Sequence, residues 1–268
     1  MGEPLRILLA FVTAAVLAIG LCRLVMNLRV MDAPTEARKT QKTAVPSAGG
    51  LGVALAVFMS VIAVSLLTAW TLSYSFIGLA VCSIGYLALG FADDTLHIDA
   101  RWRLGIMTMI AMAMALGGVR ADVFSPWPGL TIELPLIVAI VGSALWLVVL
   151  VNAVNFMDGA NGLSMGIAAI AATGLATAAA LVGAWNIALL SAALAGGLGG
   201  FLVWNVPGRL YVGDTGALFT GAMLGGLSLE LVRMRPDLLF VPPILLMPYL
   251  SDVLLTLIWR ARHGKKLS

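Results

Sequence analysis

Charge is scarce in this 268-residue chain: Asp, Glu, Lys and Arg together make up 11% of it, where a soluble domain carries about 25%. Aromatic residues are also few, at 7%. So little polar surface cannot cover a water-facing globule, which excludes a disordered chain and an ordinary cytosolic enzyme. Cysteine is nearly absent. Cys22 and Cys82 both lie inside apolar runs, so they read as buried thiols and exclude a disulfide-rich secreted scaffold. No basic patch interleaved with aromatics stands outside the apolar runs, so the net charge of +3 does not signal nucleic acid. In a membrane chain a basic excess reports cytoplasmic loops instead.

What the sequence has in abundance is apolar length, with 61% hydrophobic residues and a mean hydropathy of +1.03. A helix needs roughly 20 apolar residues to cross the hydrocarbon core. Nine runs come close: 5–25, 51–71, 75–92, 104–119, 135–152, 163–183, 187–204, 216–232 and 238–259. The expectation is an all-α, polytopic membrane helix bundle forming a single domain over residues 1–268. The first run has Glu3 beside Arg6 and lacks a good cleavage site, since Leu21 stands where a lipoprotein box needs a small residue. It reads as a retained helix. Gly196, Gly197, Gly199 and Gly200 suit close helix–helix approach in lipid.

Lys and Arg set the orientation. Arg23, Arg29, Arg38, Lys39, Lys42, Arg101, Arg103, Arg209, Arg260, Arg262, Lys265 and Lys266 fall on one side, and Arg6, Arg120, Arg233 and Arg235 on the other. The richer side is the cytoplasm, with the N-terminus outside and the C-terminus inside. Asp93, Asp94, Asp99, Asp158 and Asp214 then all fall at cytoplasmic helix ends. Carboxylates at membrane depth are costly and mark function, and their convergence from several loops is the central expectation.

Each segment also admits a plainer reading. Asp93-Asp94 suits a divalent cation or an acid/base pair with separated pKa values, or is a solvated pair of loop acids. Asn152, Asn155, Asp158 and Asn161 place amides and a carboxylate within ten residues. They can read the donor–acceptor edge of a base or sugar, or cap a polar turn. Asp214, between Gly213 and Gly216, is a hard oxygen ligand suited to Mg²⁺ or a helix cap. Tyr211 offers a flat face for a base. The basic 26–50 loop, with Lys42, either satisfies topology and attracts anionic lipid or leads through Gly49-Gly50 to a phosphate site at a helix start.

Taken together, Asp93-Asp94, Asn152-x-x-Asn155-x-x-Asp158-Gly159 and Gly213-Asp214-x-Gly216 resemble the polyprenyl-phosphate N-acetylhexosamine-1-phosphate transferase family. Its members include the phospho-N-acetylmuramoyl-pentapeptide transferases and the enzymes that initiate O-antigen synthesis. The resemblance implies transfer of a sugar 1-phosphate from a UDP-sugar to undecaprenyl or another polyprenyl phosphate, with release of UMP, in a bacterial inner membrane. It implies Mg²⁺, with Mn²⁺ as the alternative, held by Asp214. Asp93 and Asp94 match the acids that contact or deprotonate the lipid phosphate. Asp158, counted with these catalytic acids, also falls with Asn155 and Asn161 in the nucleotide pocket, and Asn152 joins the substrate-binding amides. Tyr211 matches the aromatic stacked on uracil, and Lys42 and Arg103 the basic lining of the phosphate path. A homodimer is allowed; nucleic acid is not a partner.

The match has departures. Gln41 replaces a histidine, Arg103 a lysine, Met107 a glutamine, Asn161 an acid and Ala217 a serine. Arg for Lys keeps charge but not geometry. Trp102-Arg103-Leu104 lies nearest the members that start O-antigen or capsule chains. Relatives continue past the basic stretch 260–266 into a His-rich loop and further helices, which this chain is expected to lack; His97 and His263 match neither. The alternatives are a membrane transporter and an inactive, truncated homologue that binds UDP-sugar.

Overall fold

Every apolar run of the sequence forms helix, because in lipid only a helix or a closed barrel satisfies its own backbone. The computed structural model describes residues 2–28, 31–32, 45–71, 74–127 and 129–264; Lys42 and Gln41 lie outside them. In chain order the helices are α1 (Glu3–Val25), α2 (Gly49–Thr68), α3 (Tyr74–Leu96), α4 (Ala100–Leu116), α5 (Leu136–Met157), α6 (Leu163–Leu181), α7 (Trp185–Asn205), α8 (Gly213–Met234), α9 (Val241–Leu245) and α10 (Met247–Arg262). Two small antiparallel ribbons join them. One pairs β1 (Met31–Asp32) with β2 (Val45–Pro46), the other β3 (Val123–Trp127) with β4 (Leu130–Glu133).

Among the described residues, seven helices are long and apolar enough to span a membrane, and α9 with α10 makes an eighth if the bent pair is one span. The run expected at 104–119 forms α4, whose 17 residues rise only about 26 Å at 1.5 Å per residue. Its first turn also carries Arg101 and Arg103, so it is the marginal member of the expected nine. The run expected as one helix over 238–259 breaks at Leu246 and turns by 64°. Pro242, Pro243 and Pro248 surround the break, each removing a backbone donor and crowding the preceding turn.

At the centre stands α8, with residues 215–232 all buried. It is shielded by α2, α3 and α5, so it tolerates Thr220, Ser228 and Glu230 where a lipid-facing helix would not. Small residues set the helix spacing. A Cβ at Gly196 or Gly200 of α7 would collide with the carbonyls of Phe11 and Ala15 on α1. Likewise, Gly50 of α2 lies against Gly216 of α8 with no room for a methyl on either. The Tyr86 hydroxyl donates to the Met107 carbonyl at 2.7 Å, tying α3 to α4. The Tyr249 hydroxyl donates to the Ser164 carbonyl, tying α10 to the start of α6.

Candidate active site

The end of α3 and the start of α8 meet because glycine lets their backbones touch, and the start of α4 reaches them through the Arg103 side chain. Gly90 on α3 faces the Asp214 carbonyl and Thr215 Cα, where any Cβ would clash. Gly213 turns the chain into α8 with φ +69°, a left-handed conformation that favours glycine. Segment 211–212 is pinned beside the start of α2. Gly49 and Gly50 N–H donate to the carbonyls of Tyr211 and Val212 at 3.0 and 2.9 Å, and Tyr211 N–H donates to Pro46. The phosphate site considered at Gly49-Gly50 is therefore not formed, since those two donors already have backbone partners.

Four of the expected residues share one hydrogen-bonded group. Arg103 Nη1 donates to Asp93 Oδ2 at 2.5 Å and to Asp214 Oδ2 at 3.1 Å. Asn155 Nδ2, from α5, donates to the other Asp214 oxygen at 2.7 Å. Ile98 N–H holds Asp93 Oδ1 at 2.9 Å. Asp94 turns the other way: Oδ1 accepts Asp214 N–H at 2.9 Å, and Oδ2 accepts Thr215 N–H at 3.0 Å and Thr215 Oγ1 at 2.6 Å. Asp99 serves as the N-cap of α4, accepting from Arg101 N–H at 2.9 Å, which fixes the turn that presents Arg103.

Asp158 caps the C-terminus of α5. Burial pushes its carboxyl up to about 7, and the nearby charges of Asp214 and then Asp94 add to the rise. It therefore belongs electrostatically to the same cluster and can hold a proton near neutral pH.

The remaining expected residues stand further out. Asn152 donates Nδ2 to the Val148 carbonyl of its own helix at 2.8 Å, so that donor does not face the carboxylates. Asn161 is exposed, its amide beside Gly208. Tyr211 is half-buried, three residues before Asp214.

Two residues had no role in the sequence reading. Asn205, only 5% exposed, accepts Gly162 N–H on Oδ1 at 2.7 Å and donates to the Leu210 carbonyl at 3.0 Å. It locks the turn after Asp158 to the turn before Asp214. Thr215 is fully buried and supplies two of the three donors to Asp94. The Gly-Asp-Thr-Gly run signals a helix start, yet nothing in sequence names the acid that Thr215 meets.

Could this donor set hold Mg²⁺? Among the described residues no three His, Cys, Asp or Glu form a ready metal cage. Mg²⁺ takes one or two carboxylates and completes its shell with water and substrate phosphate. Asp93 Oδ2 and Asp214 Oδ2 converge on one cationic centre, the Arg103 guanidinium, and are hard oxygen donors. The residues fit the ion.

The family model for glycosyl transferase family 4 matches residues 76–232, a stretch that contains all four clustered acids. A phospho-N-acetylmuramoyl-pentapeptide-transferase of Shouchella clausii is 30% identical over 233 residues, covering 80% of this chain and 69% of that one. A homologue in Desulforudis audaxviator with the same name is 31% identical over 260 residues, covering 88% and 76%. A probable undecaprenyl-phosphate N-acetylglucosaminyl 1-phosphate transferase of Bacillus subtilis is 29% identical over 231 residues, covering 84% of this chain and 63% of that one. Sequence likeness of this extent, over a multi-pass bundle whose acids gather at one end, makes the chain a member of glycosyl transferase family 4.

Proposed function

We propose that this protein transfers a sugar 1-phosphate, of N-acetylhexosamine type, from a UDP-sugar to a polyprenyl phosphate in a bacterial cytoplasmic membrane, releasing UMP and starting a cell-envelope polysaccharide. The observation that carries the reading is the convergence of Asp93, Asp94, Asp214, Arg103 and Asn155, with Asp158 beside them, at one end of the helix bundle. A lipid acceptor confined to the bilayer and a water-soluble donor can meet only at such an interface.

In the reaction an oxygen of the polyprenyl phosphate attacks the sugar-bearing phosphorus, and the bond from that phosphorus to the bridging oxygen of UMP breaks. Phosphoryl transfer of this kind relies on positioning and charge neutralisation. Asp214 and Asp93 would hold Mg²⁺, which when bound neutralises the diphosphate and the developing charge on UMP. Asn155 fixes the rotamer of Asp214 by holding its Oδ1. Arg103, its side chain 28% exposed, offers its fork to a phosphate once it releases a carboxylate. Asp158 can take or give a proton near neutral pH. In this reading Tyr211 would stack on the uracil and the exposed Asn161 would contact the donor, as the resemblance implies.

Relatives whose printed names specify muramoyl-pentapeptide and N-acetylglucosaminyl donors differ in the sugar that moves. A donor screen is the direct test. Purified protein with each UDP-N-acetylhexosamine and polyprenyl phosphate should yield UMP and lipid-linked sugar in equal amounts. Nucleotide protection against heat with no UMP from any donor would select a binding protein instead.

A further inference from the structure

We infer that Asp94 takes no part in the chemistry and is the positioning residue that sets Asp214, by clamping the first turn of α8 to the end of α3. The inference rests on the transferase reading above for its activity arm. Asp93 and Asp94 are adjacent, so on a helix their side chains diverge by about 100° and cannot share a task by default. Asp93 meets Arg103, a flexible side chain that a phosphate can draw away. The partners of Asp94 are the backbone N–H groups of Asp214 and Thr215 and the Thr215 hydroxyl. These cannot leave without unwinding the start of a helix whose next eighteen residues are buried.

Three of the roughly four lone-pair sites of a carboxylate are thus filled by donors that stay in place. Oδ2 is further enclosed by the Gly213 turn, where a Cβ would lie 2.6 Å from it. The negative charge also sits at the positive end of the α8 dipole, which favours it there. Gly90 stands four residues earlier on the same face of α3 and touches the backbone of Asp214 and Thr215. Gly90 and Asp94 therefore form one docking edge, the first by contact and the second by hydrogen bonds. What the edge holds is the Cα of Asp214, hence the direction of its carboxylate.

The test uses the full chain and the variants Asp94→Asn, Thr215→Val, Thr215→Ser and the double Asp94→Asn/Thr215→Val. The clamp is read without activity, by hydrogen exchange of the peptide spanning 210–218. Exchange should quicken in Asp94→Asn and Thr215→Val and stay at the wild-type rate in Thr215→Ser, which keeps the hydroxyl donor. In UMP release per folded molecule, Asp94→Asn should lose about 10- to 100-fold in kcat/KM, the scale of one or two charge-assisted hydrogen bonds. The pH profile should keep its wild-type shape, Thr215→Val should lose activity in the same direction, and the double variant should be no worse than Asp94→Asn.

Unchanged exchange in Asp94→Asn would overturn the clamp whatever the activity. Complete loss of turnover or a missing pH limb in Asp94→Asn, with Thr215→Val at wild-type rate, would make Asp94 a reacting group and overturn the inference. A wild-type protein that releases no UMP from any donor would instead sink the transferase reading, leaving the exchange result to decide the clamp.

Discussion

Asn155 of α5 and Asp214 of α8, 59 residues apart in sequence, meet through a 2.7 Å hydrogen bond from Nδ2 to Oδ1. The bond leaves Asp214 Oδ2 as the oxygen turned to Arg103 and Asp93, so the amide decides which face of the carboxylate is available. Asn155→Ala should lower kcat/KM by about 10- to 100-fold, since a hydrogen bond to a charged group is worth about 1.5–3 kcal/mol. Asn155→Asp should do at least as badly by setting two carboxylates against each other. Initial rates of UMP release across both variants check this.

Removing divalent cations should stop turnover while leaving the fold in place. Arg103 already bridges Asp93 and Asp214, so the two carboxylates are held together by one guanidinium without a metal. A chelator should abolish UMP release and change the thermal midpoint in detergent only slightly. The paired measurement is activity and unfolding on the same sample.

Asp158 gives stability a pH dependence with a definite sign. Its carboxyl titrates near 3.8 when free and at about 7 in the fold, so the native state binds the proton more tightly than the unfolded state. Stability from this group is fully present below 3.8 and declines as pH rises to about 7, beyond which the whole loss has been taken. In metal-free buffer the thermal midpoint of Asp158→Asn should therefore fall less than that of the wild type between pH 4 and pH 7. Parallel melting curves of the two proteins decide it.

At the opposite end of the bundle, Glu230 is fully buried, with Oε2 2.7 Å from Arg233 and its other oxygen without a hydrogen-bond partner among the described residues. Arg233→Ala leaves that buried carboxylate without its cation and with the Ser75 hydroxyl at 3.2 Å as a remaining donor, at a penalty of at most about 3–5 kcal/mol. The variant should melt well below wild type, yet molecules that remain folded should turn over at the wild-type rate, because the pair lies far along α8 from Asp214. Rates normalised to folded protein separate the two effects.

The helices were legible in the sequence because a bilayer dictates apolar length. The bend between α9 and α10 was not, since the run 238–259 stays apolar across it and prolines are tolerated in membrane helices when neighbours compensate. The β3–β4 hairpin sits in a segment that hydropathy treats only as a loop. Asp93, Arg103, Asn155 and Asp214 were legible as site candidates from their place at helix ends. The diverging directions of Asp93 and Asp94 were not, because adjacency in sequence hides the 100° between them. Asn152 shows the converse limit. Its spacing from Asn155 is right for one face, but a side-chain amide in a helix can bond its own turn instead, and Asn152 does.

The central claim of the proposal is that Asp214 would engage a sugar diphosphate through a divalent cation. Release of UMP from a UDP-N-acetylhexosamine, with and without polyprenyl phosphate, by the wild-type protein and by Asp214→Asn tests it most directly. The account predicts lipid-dependent UMP from the wild type and a loss of at least about 1,000-fold in the variant, the scale expected when a key transition-state electrostatic contact is removed. Equal rates from the two proteins would contradict it.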